Sequence, residues 1–405
     1  MKRVVLLLFA GLVTLPQALS AQSVARLKAW AERADATIST LADEEFSRLQ
    51  LSQKEAEEAM AILESQWRKE MVAKHYKALV ENQFEHDGQY LKIKKRVFGE
   101  EPTDGRSLYI SMHGGGGAPA AVNDQQWENQ IRLYTPAEGV YVAPRAPVNQ
   151  WNMWFVKGMD ELFESLIQAA VASWGVNPDK VYLMGYSAGG DGVWRMAPRM
   201  ADRWAAASMM AGHPGEASQE SLRNLPYMIW MGEHDSAYNR NTLAVKHGQI
   251  MDSLQRADPA GYIHETHIIK GKGHWMERAD TLAVSWMAKY RRNPYPKRVV
   301  WRQEEIVRTA SYWLSTPKEE CRHGAKVVAE YDGNRVEVLS CDYSRLRLYF
   351  NDQMVNLNKP IAVYYKGKCL FKGKLKRTLA TMSQTLSERG DLRYSFPAEL
   401  EIQIP

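Results

Sequence analysis

The stretch VYLMGYSAGGDGVW, Val181 to Trp194, places a single serine between glycines where two sequence patterns meet. A short apolar run precedes the serine and predicts a buried strand, and the residues after it have helical spacing. Glycines on both sides of one serine are unfavourable in regular structure, so a special backbone geometry is expected there. The segment GYSAG, residues 185–189, fits the spacing G-x-S-x-G. Between a strand and a helix, this spacing predicts a sharp, strained turn that exposes the hydroxyl of Ser187 as a nucleophile.

The surrounding sequence, from about residue 90 to 290, alternates short apolar runs with helical stretches. The runs end in turn residues and read RSLYISMHGGGG, EGVYVAPRAP, KVYLMGYSAGG, RWAAASMMAGHPG, LPYMIWMGEHD and HETHIIKGKGHW. Strands that alternate with helices predict an α/β fold with a mostly parallel sheet and helices on both faces. In such sheets, functional groups collect beyond the carboxyl ends of the strands.

A serine nucleophile needs a base, and the base needs an orienting carboxylate. After a turn of this kind the expected chain order is serine, acid, histidine. Asp235 follows the apolar run LPYMIWM within GEHD and is the favoured acid. Glu233 and Asp252 are the alternative acids.

The favoured base is His274, which lies in the glycine-rich turn GKGHW after the last predicted strand. His213, in AGHPG after another strand, is the main alternative as base and a candidate for substrate binding. His264 and His267 lie within a predicted strand, which favours a structural role. Their spacing, HETH, is also wrong for a helical zinc site.

The second element of an oxyanion hole should come from an earlier strand–helix loop. HGGGG, residues 113–117, follows the run SLYISM, and its glycine N–H groups are candidate donors to a developing oxyanion. We expect Gly115 or Gly116 to act with the N–H group of Ala188. A phosphate loop is the competing interpretation, but no Gly-Lys-Ser/Thr follows. His113 is expected to shape the loop.

NQWNMWF, residues 149–155, follows a predicted strand and therefore lies near the functional edge of the sheet. Trp151 and Trp154 are candidates to stack on an aromatic or sugar group of the substrate. The alternative is that both tryptophans pack against the neighbouring helix.

Taken together, HGGGG, GYSAGG, GEHD and GKGHW resemble the α/β-hydrolase superfamily in type and order, over roughly residues 90–290. The double glycine after the serine resembles secreted esterases of the polyhydroxybutyrate-depolymerase and feruloyl-esterase type, and also prolyl-oligopeptidase-type peptidases. The resemblance implies cofactor-free acyl transfer: Ser187 attacks, His274 moves the proton, Asp235 orients the imidazole, and water releases the acyl group. A small-molecule or polymer-derived ester is the expected substrate.

Two other functions stay open. One is a serine peptidase, although 405 residues leave no room for the large propeller that such peptidases usually carry. The other is a hydrolase-like binding protein without activity. The net charge of +5 is spread evenly with no basic run, so nucleic acid is not an expected partner. No partner protein is indicated.

The sequence as a whole predicts that the chain is divided into four parts. Residues 1–21 have the basic, apolar and small-residue order of a signal peptide, so we expect export to the periplasm or beyond the cell, without a membrane span. Residues 22–88 predict a helical extension, 89–293 the catalytic domain, and 294–405 a β-rich, sandwich-like domain that is catalytically passive. Cys321 and Cys341 are candidates for a disulfide, and the cysteine spacing matches no zinc site.

Overall fold

The computed structural model describes residues 15–405, with side chains from Ser23 onward. Most of the predicted signal peptide, residues 1–21, therefore lies outside the described residues. Within the described part, none of the helices has the length and apolar character needed to cross a bilayer.

Within residues 15–405, the first three α-helices precede the strands, and strands lie between all of the later α-helices. The helices are α1 (Leu15–Ala31), α2 (Ile38–Leu41), α3 (Gln53–Glu81), α4 (Ala120–Leu133), α5 (Met159–Ser173), α6 (Ala188–Arg199), α7 (Arg240–Ala257), α8 (Leu282–Met287) and α9 (Leu379–Arg389). The strands of the large sheet are β1 (Gln83–His86), β2 (Gln89–Phe98), β3 (Arg106–Met112), β4 (Gly139–Arg145), β5 (Val176–Tyr186), β6 (Ala206–Met210), β7 (Tyr227–Gly232) and β8 (His264–Ile269).

The large sheet has eight strands in the order β1-β2-β4-β3-β5-β6-β7-β8. β3 to β8 are parallel to one another, whereas β1 and β2 are joined to the sheet by antiparallel pairing. This is an α/β-hydrolase arrangement, so the fold class predicted from the sequence is confirmed. The carboxyl ends of β5, β7 and β8 lie along one edge, where the predicted site residues follow them.

Helices cover both faces of the sheet, and alternate side chains of β5 pack into the cores on the two faces. Val181 and Leu183 join the core under α5 and α6, while Tyr182 and Met184 join a second core with residues of α4 and α8. Because side chains alternate along a strand, a strand buried on both faces is apolar at nearly every position. That is why residues 181–184, in the second half of β5, read as a continuous apolar run.

The N-terminal helices pack on the catalytic region. Ser52 caps α3 in a reciprocal capping box with Glu55, and α3 lies against α5. The helix ends at Asn82 in the left-handed region, and β1 follows at Gln83, which puts the large sheet's first strand before the predicted boundary at residue 89. The division of the chain at 22–88, 89–293 and 294–405 stays a prediction.

The C-terminal part contains two small sheets that share one buried core. Their strands are β9 (Arg298–Arg302), β10 (Ala310–Ser311), β11 (Leu314–Ser315), β12 (Lys326–Asp332), β13 (Arg335–Cys341), β14 (Arg345–Phe350), β15 (Ile361–Tyr365), β16 (Lys368–Gly373) and β17 (Ala398–Gln403). One sheet has the order β16-β15-β13-β12-β9 and the other the order β10-β11-β14-β17. One helix, α9, lies among these strands and ends at Gly390 in the left-handed region. Cys321, Cys341 and Cys369 are all free thiols, so the disulfide considered for Cys321 and Cys341 is not formed.

Buried ion pairs join the C-terminal part to the catalytic region. Asp391 accepts hydrogen bonds from Arg203 at 2.9 Å and from Arg292 at 2.6 Å. Arg389 pairs with Asp202, which is only 1% exposed. Neighbouring arginines lower the pKa of Asp391, against the effect of its burial. Charges buried in this way are stable only while every partner is present.

Candidate active site

Ser187 lies on the turn between β5 and α6 with a backbone that few side chains adopt. Its φ is 58° and its ψ is −121°. The glycines around it allow very close packing: a Cβ at Gly185 would lie 2.3 Å from the carbonyl oxygen of Gly189, and one at Gly189 would lie 2.1 Å from that of Met112. The strained turn therefore exists because its glycines let the strand, the helix and β3 approach one another.

Ser187, Asp235 and His274 come together beyond the ends of β5, β7 and β8. Nε2 of His274 lies 2.9 Å from Oγ of Ser187, and Nδ1 lies 2.7 Å from Oδ2 of Asp235. Asp235 is 3% exposed, so its carboxylate is shielded from water, whereas the side chain of His274 is 44% exposed. With Nδ1–H donating to the carboxylate, Nε2 is left to accept the serine proton. A serine nucleophile requires this arrangement of hydroxyl, base and carboxylate.

The alternative acids are engaged elsewhere. Glu233 accepts a hydrogen bond from the N–H group of Gly271 at 2.7 Å. Asp252 lies 3.1 Å from Nε2 of His264. Neither carboxylate contacts His274, so the structure places only Asp235 behind the imidazole among these three.

His213, the alternative base, lies in the same cavity wall without a hydrogen bond to Ser187. Its Nδ1 accepts the N–H group of Gly215 at 3.0 Å. Burial lowers the pKa of His213, and the charges of Arg240 and Arg195 add to that effect. Of these two histidines, His274 is the one within hydrogen-bond distance of Ser187, and His213 lines the cavity beside it.

Tyr186 positions the loop that carries His274. Its hydroxyl donates to the carbonyl oxygen of His274 at 2.7 Å and accepts the N–H group of Met276 at 3.1 Å. Sequence reasoning passed over Tyr186 because the residue before the serine is a variable position of the motif. Only the three-dimensional structure brings the two loops together.

The glycine loop offers one of its two predicted oxyanion donors. Contrary to expectation, the N–H group of Gly116 already donates to Oδ1 of Asn123 at 3.0 Å, so Gly116 is not a free donor. Asn123 in turn donates to the carbonyl oxygens of Gly116 and Ala118. Gly115 stays the loop's candidate. Ala188 is the first residue of α6, where N–H groups have no acceptor within the helix.

His113 shapes this loop, as the sequence indicated. The ring is fully buried, and burial lowers its pKa to about 4. Nε2 accepts the N–H group of Ala146 at 3.2 Å, so Nδ1 carries the hydrogen and donates to the carbonyl oxygen of Gly114 at 2.6 Å. A neutral ring with both nitrogens engaged is a structural element.

A cavity of about 380 Å³ opens beside Ser187. Trp151 lines it, is 67% exposed, and meets the ring of Phe155 edge to face. Trp154 does not line it: the residue is fully buried, and its indole N–H donates to the carbonyl oxygen of His113 at 2.9 Å. The prediction of Trp154 as a substrate contact is therefore wrong, because its ring packs in the core beneath the loop.

Sequence reasoning missed three charged residues of the cavity wall, namely Asp191, Arg195 and Arg240. Burial raises the pKa of Asp191 to about 6, although its carboxylate accepts the N–H group of His213 at 2.6 Å. Arg195 lies on α6 and Arg240 begins α7. Charged residues on helices usually face water, so their pattern in the sequence gave no signal.

Comparison with known proteins gives structural neighbours only. No family model and no curated protein sequence matches the chain. A thermostable esterase structure is 18% identical, with a TM-score of 0.39, over 52% of this chain and 62% of its own. A ferulic acid esterase is 16% identical, with a TM-score of 0.34, over 49% of this chain and 98% of its own.

A third solved structure, the S-formylglutathione hydrolase from Staphylococcus aureus, is 13% identical, with a TM-score of 0.36, over 51% of this chain and 94% of its own. The chain thus spans less than two thirds of the thermostable esterase and nearly all of the other two. The α/β-hydrolase fold itself rests on the strand order and on the turn at Ser187.

Proposed function

We propose that this chain is a serine hydrolase that cleaves carboxylic esters through an acyl-enzyme intermediate. The observation that carries the proposal is the continuous hydrogen-bonded line from Ser187 through His274 to Asp235. A serine hydroxyl is a weak nucleophile alone, and this arrangement supplies both its base and the group that orients the base.

The proposed reaction has two steps. Oγ of Ser187 attacks the ester carbonyl while Nε2 of His274 takes its proton, and the resulting imidazolium is stabilised by Asp235. The oxyanion is bound by the N–H groups of Ala188 and Gly115. The imidazolium then protonates the departing alcohol. Water, deprotonated by the same imidazole, attacks the acyl enzyme, and the imidazolium gives that proton to Oγ of Ser187 as the acid departs.

Parallel assays test the reaction class. The purified protein should release 4-nitrophenol from acyl esters and should leave dipeptide 4-nitroanilides unchanged. Cleavage of anilides at a comparable rate would indicate a serine peptidase, and no turnover of either would indicate a binding protein.

Two variants test the residues. Ser187→Ala and His274→Ala should each lower kcat for esters by about 10⁴-fold or more, because the loss of one member disables the whole unit. Each variant must show wild-type circular dichroism. Because such effects are not additive, kcat of the double variant should be hardly lower than that of either single variant.

We further propose that the protein is exported and that residues 1–21 are removed. The support is the order of basic, apolar and small residues at the N-terminus. N-terminal sequencing of the exported protein should find a start near Ala21 or Gln22. An exported chain that still begins at Met1 would contradict the proposal.

A further inference from the structure

Two arginines, Arg195 and Arg240, line the cavity beside Ser187. Their side chains are only 14% and 13% exposed, so both charged groups are largely shielded from water. Arg195 lies about two turns after Ser187 on α6, and Arg240 is the first residue of α7. A guanidinium removed from water is costly unless its donors find acceptors.

The donors of both arginines are largely unused. Within residues 23–405, the Nε atoms of Arg195 and Arg240 are buried without a hydrogen-bond partner. The nearest carboxylates are distant or shared: Glu305 lies 3.4 Å from Arg195 and 3.2 Å from Arg199. Asp235 lies 3.8 Å from Arg240, and its other oxygen is taken by the candidate catalytic imidazole.

Aromatic rings hold both guanidinium groups in place. Arg195 stacks on Phe155, with 4.2 Å between its Cζ and the ring centroid, and Arg240 lies over Tyr238 at 4.9 Å. Phe155 and Tyr238 line the same cavity. A guanidinium stacked through its face keeps its N–H groups in the plane, where they match the two oxygens of a carboxylate.

Both positive charges act on one region of the cavity. Arg240 and Arg195 each lower the pKa of His213, after the effect of burial, and each opposes the rise that burial causes in the pKa of Asp191. The carboxylate of Asp191 accepts a hydrogen bond from the N–H group of His213 and not from the N–H groups of the two arginines. Among the residues that line the cavity, two cationic side chains face one anionic side chain.

We propose that this cavity selects esters that carry a second, free carboxylate, held by Arg195 and Arg240 while Ser187 attacks the ester carbonyl. The inference rests on the proposed function and names the substrate class of that site. Trp151 and Phe155 provide apolar surface for the carbon skeleton between the two groups. The free carboxylate belongs to either the acyl or the alcohol part, and the test below separates the two.

Two pairs of esters test the preference. The acyl-side pair is 4-nitrophenyl hydrogen glutarate and its methyl ester, and the alcohol-side pair is 4-acetoxybenzoate and its methyl ester. Each enzymatic rate is divided by the hydroxide-catalysed rate of the same ester, which removes intrinsic reactivity. In at least one pair, kcat/KM for the free acid should exceed that for the methyl ester about tenfold or more.

Substitutions assign the preference to the arginines. Arg195→Gln and Arg240→Gln should each lower the ratio of acid to methyl ester about tenfold, as expected for a charge-assisted hydrogen bond. The ratio cancels any effect of Arg240 on Asp235, since that effect acts on both esters. Arg195→Lys and Arg240→Lys should lower it less, because the charge remains. Arg256→Gln, at an exposed position of α7, is the matched control and should leave the ratio unchanged.

Binding separates this inference from the proposed function. Calorimetry on the Ser187→Ala variant should find the acid member of the preferred pair bound about tenfold more tightly than its methyl ester. Normal hydrolysis of neutral esters with a ratio near one, unchanged in the arginine variants, overturns the inference alone. A binding preference without hydrolysis overturns only the proposed function. If the protein shows no binding preference and no hydrolysis, both the inference and the proposed function are overturned.

Discussion

Asp191 shows how a single residue of the cavity wall couples the site to stability. Burial raises the pKa of its carboxyl from an ordinary 3.8 to about 6. The unfolded chain releases this proton at lower pH than the folded protein does. The contribution of Asp191 to folding is therefore fully present below pH 4 and is lost as pH rises through 6.

Asp191→Asn should accordingly stabilise the protein above pH 6, by on the order of 2 kcal/mol, and should have little effect near pH 4. The amide oxygen can still accept the N–H group of His213, so the cavity keeps its shape. Urea unfolding of variant and wild type at pH 4 and pH 7.5 measures the difference. Asp87→Asn, at an exposed side chain, is the control. An equal loss of stability at both pH values would show that the arginines, and not burial, govern this carboxyl.

Residues of the candidate site divide into those that the sequence predicts and those that it does not. Ser187, Asp235 and His274 each follow a strand in the order that the chemistry uses, and the structure brings them within hydrogen-bond distance. Arg195 and Arg240 come from helices, where a charged residue ordinarily indicates a solvated face. Their placement depends on how two helices pack against the sheet edge, which no local pattern encodes.

At the scale of elements, the glycine loop depends on one side chain of the helix that follows it. Asn123 is fully buried on α4 and bonds both the N–H group and the carbonyl oxygen of Gly116. The sequence predicted a glycine loop between a strand and a helix, and residues 113–117 lie between β3 and α4, but the sequence did not indicate which of the loop's N–H groups is free. The N–H group of Gly116 is bound by Asn123, seven residues further along the chain. In the sequence, nothing distinguishes this asparagine from other polar residues of the helix.

Asn123→Ala should therefore lower kcat for esters about tenfold or more, with a smaller change in KM, because the loop's free donor loses its position. Steady-state kinetics with 4-nitrophenyl esters measure this. Asn129→Ala lies on the same helix, is exposed, and should behave as wild type. A folded Asn123→Ala variant with unchanged kcat would mean that the loop does not bind the oxyanion.

The loop of His274 depends on Tyr186 in a comparable way. Tyr186→Phe removes the hydroxyl that bridges His274 and Met276 and leaves the ring in place. We expect kcat to fall by about threefold to tenfold, since a net hydrogen bond contributes about 1 kcal/mol. Tyr76→Phe, at a position 67% exposed on α3, is the control. Unchanged kcat in Tyr186→Phe would show that the imidazole is positioned by Asp235 alone.

At the scale of the whole molecule, the C-terminal part is tied to the catalytic region through buried charges. Because the sequence predicts that residues 294–405 are catalytically passive, a chain ending near Lys297 is expected to keep hydrolysing esters if it folds. The structure argues against its folding, because the cut removes Asp391 and Arg389 and leaves Arg203, Arg292 and Asp202 without these partners. Alternating strands predicted the β-rich part, whereas ion pairs between distant segments have no sequence signature.

Asp391→Asn tests this connection within the full chain. It should lower the free energy of unfolding by about 3 kcal/mol, because it leaves buried guanidinium charge uncompensated. Asp332→Asn is the control: its side chain is 93% exposed in a surface pair with Lys297, and it should cost less than about 1 kcal/mol. Equal small effects in urea unfolding would show that the two parts are energetically independent.

Labelling with a fluorophosphonate, followed by intact mass measurement and peptide mapping, tests the central claim most directly. The account predicts one adduct per chain on the peptide that contains Ser187, and strongly slowed labelling in His274→Ala, because the hydroxyl then lacks its base. The folded Ser187→Ala variant should take up no label. An adduct on any other residue, or equal labelling of Ser187→Ala, would contradict the account.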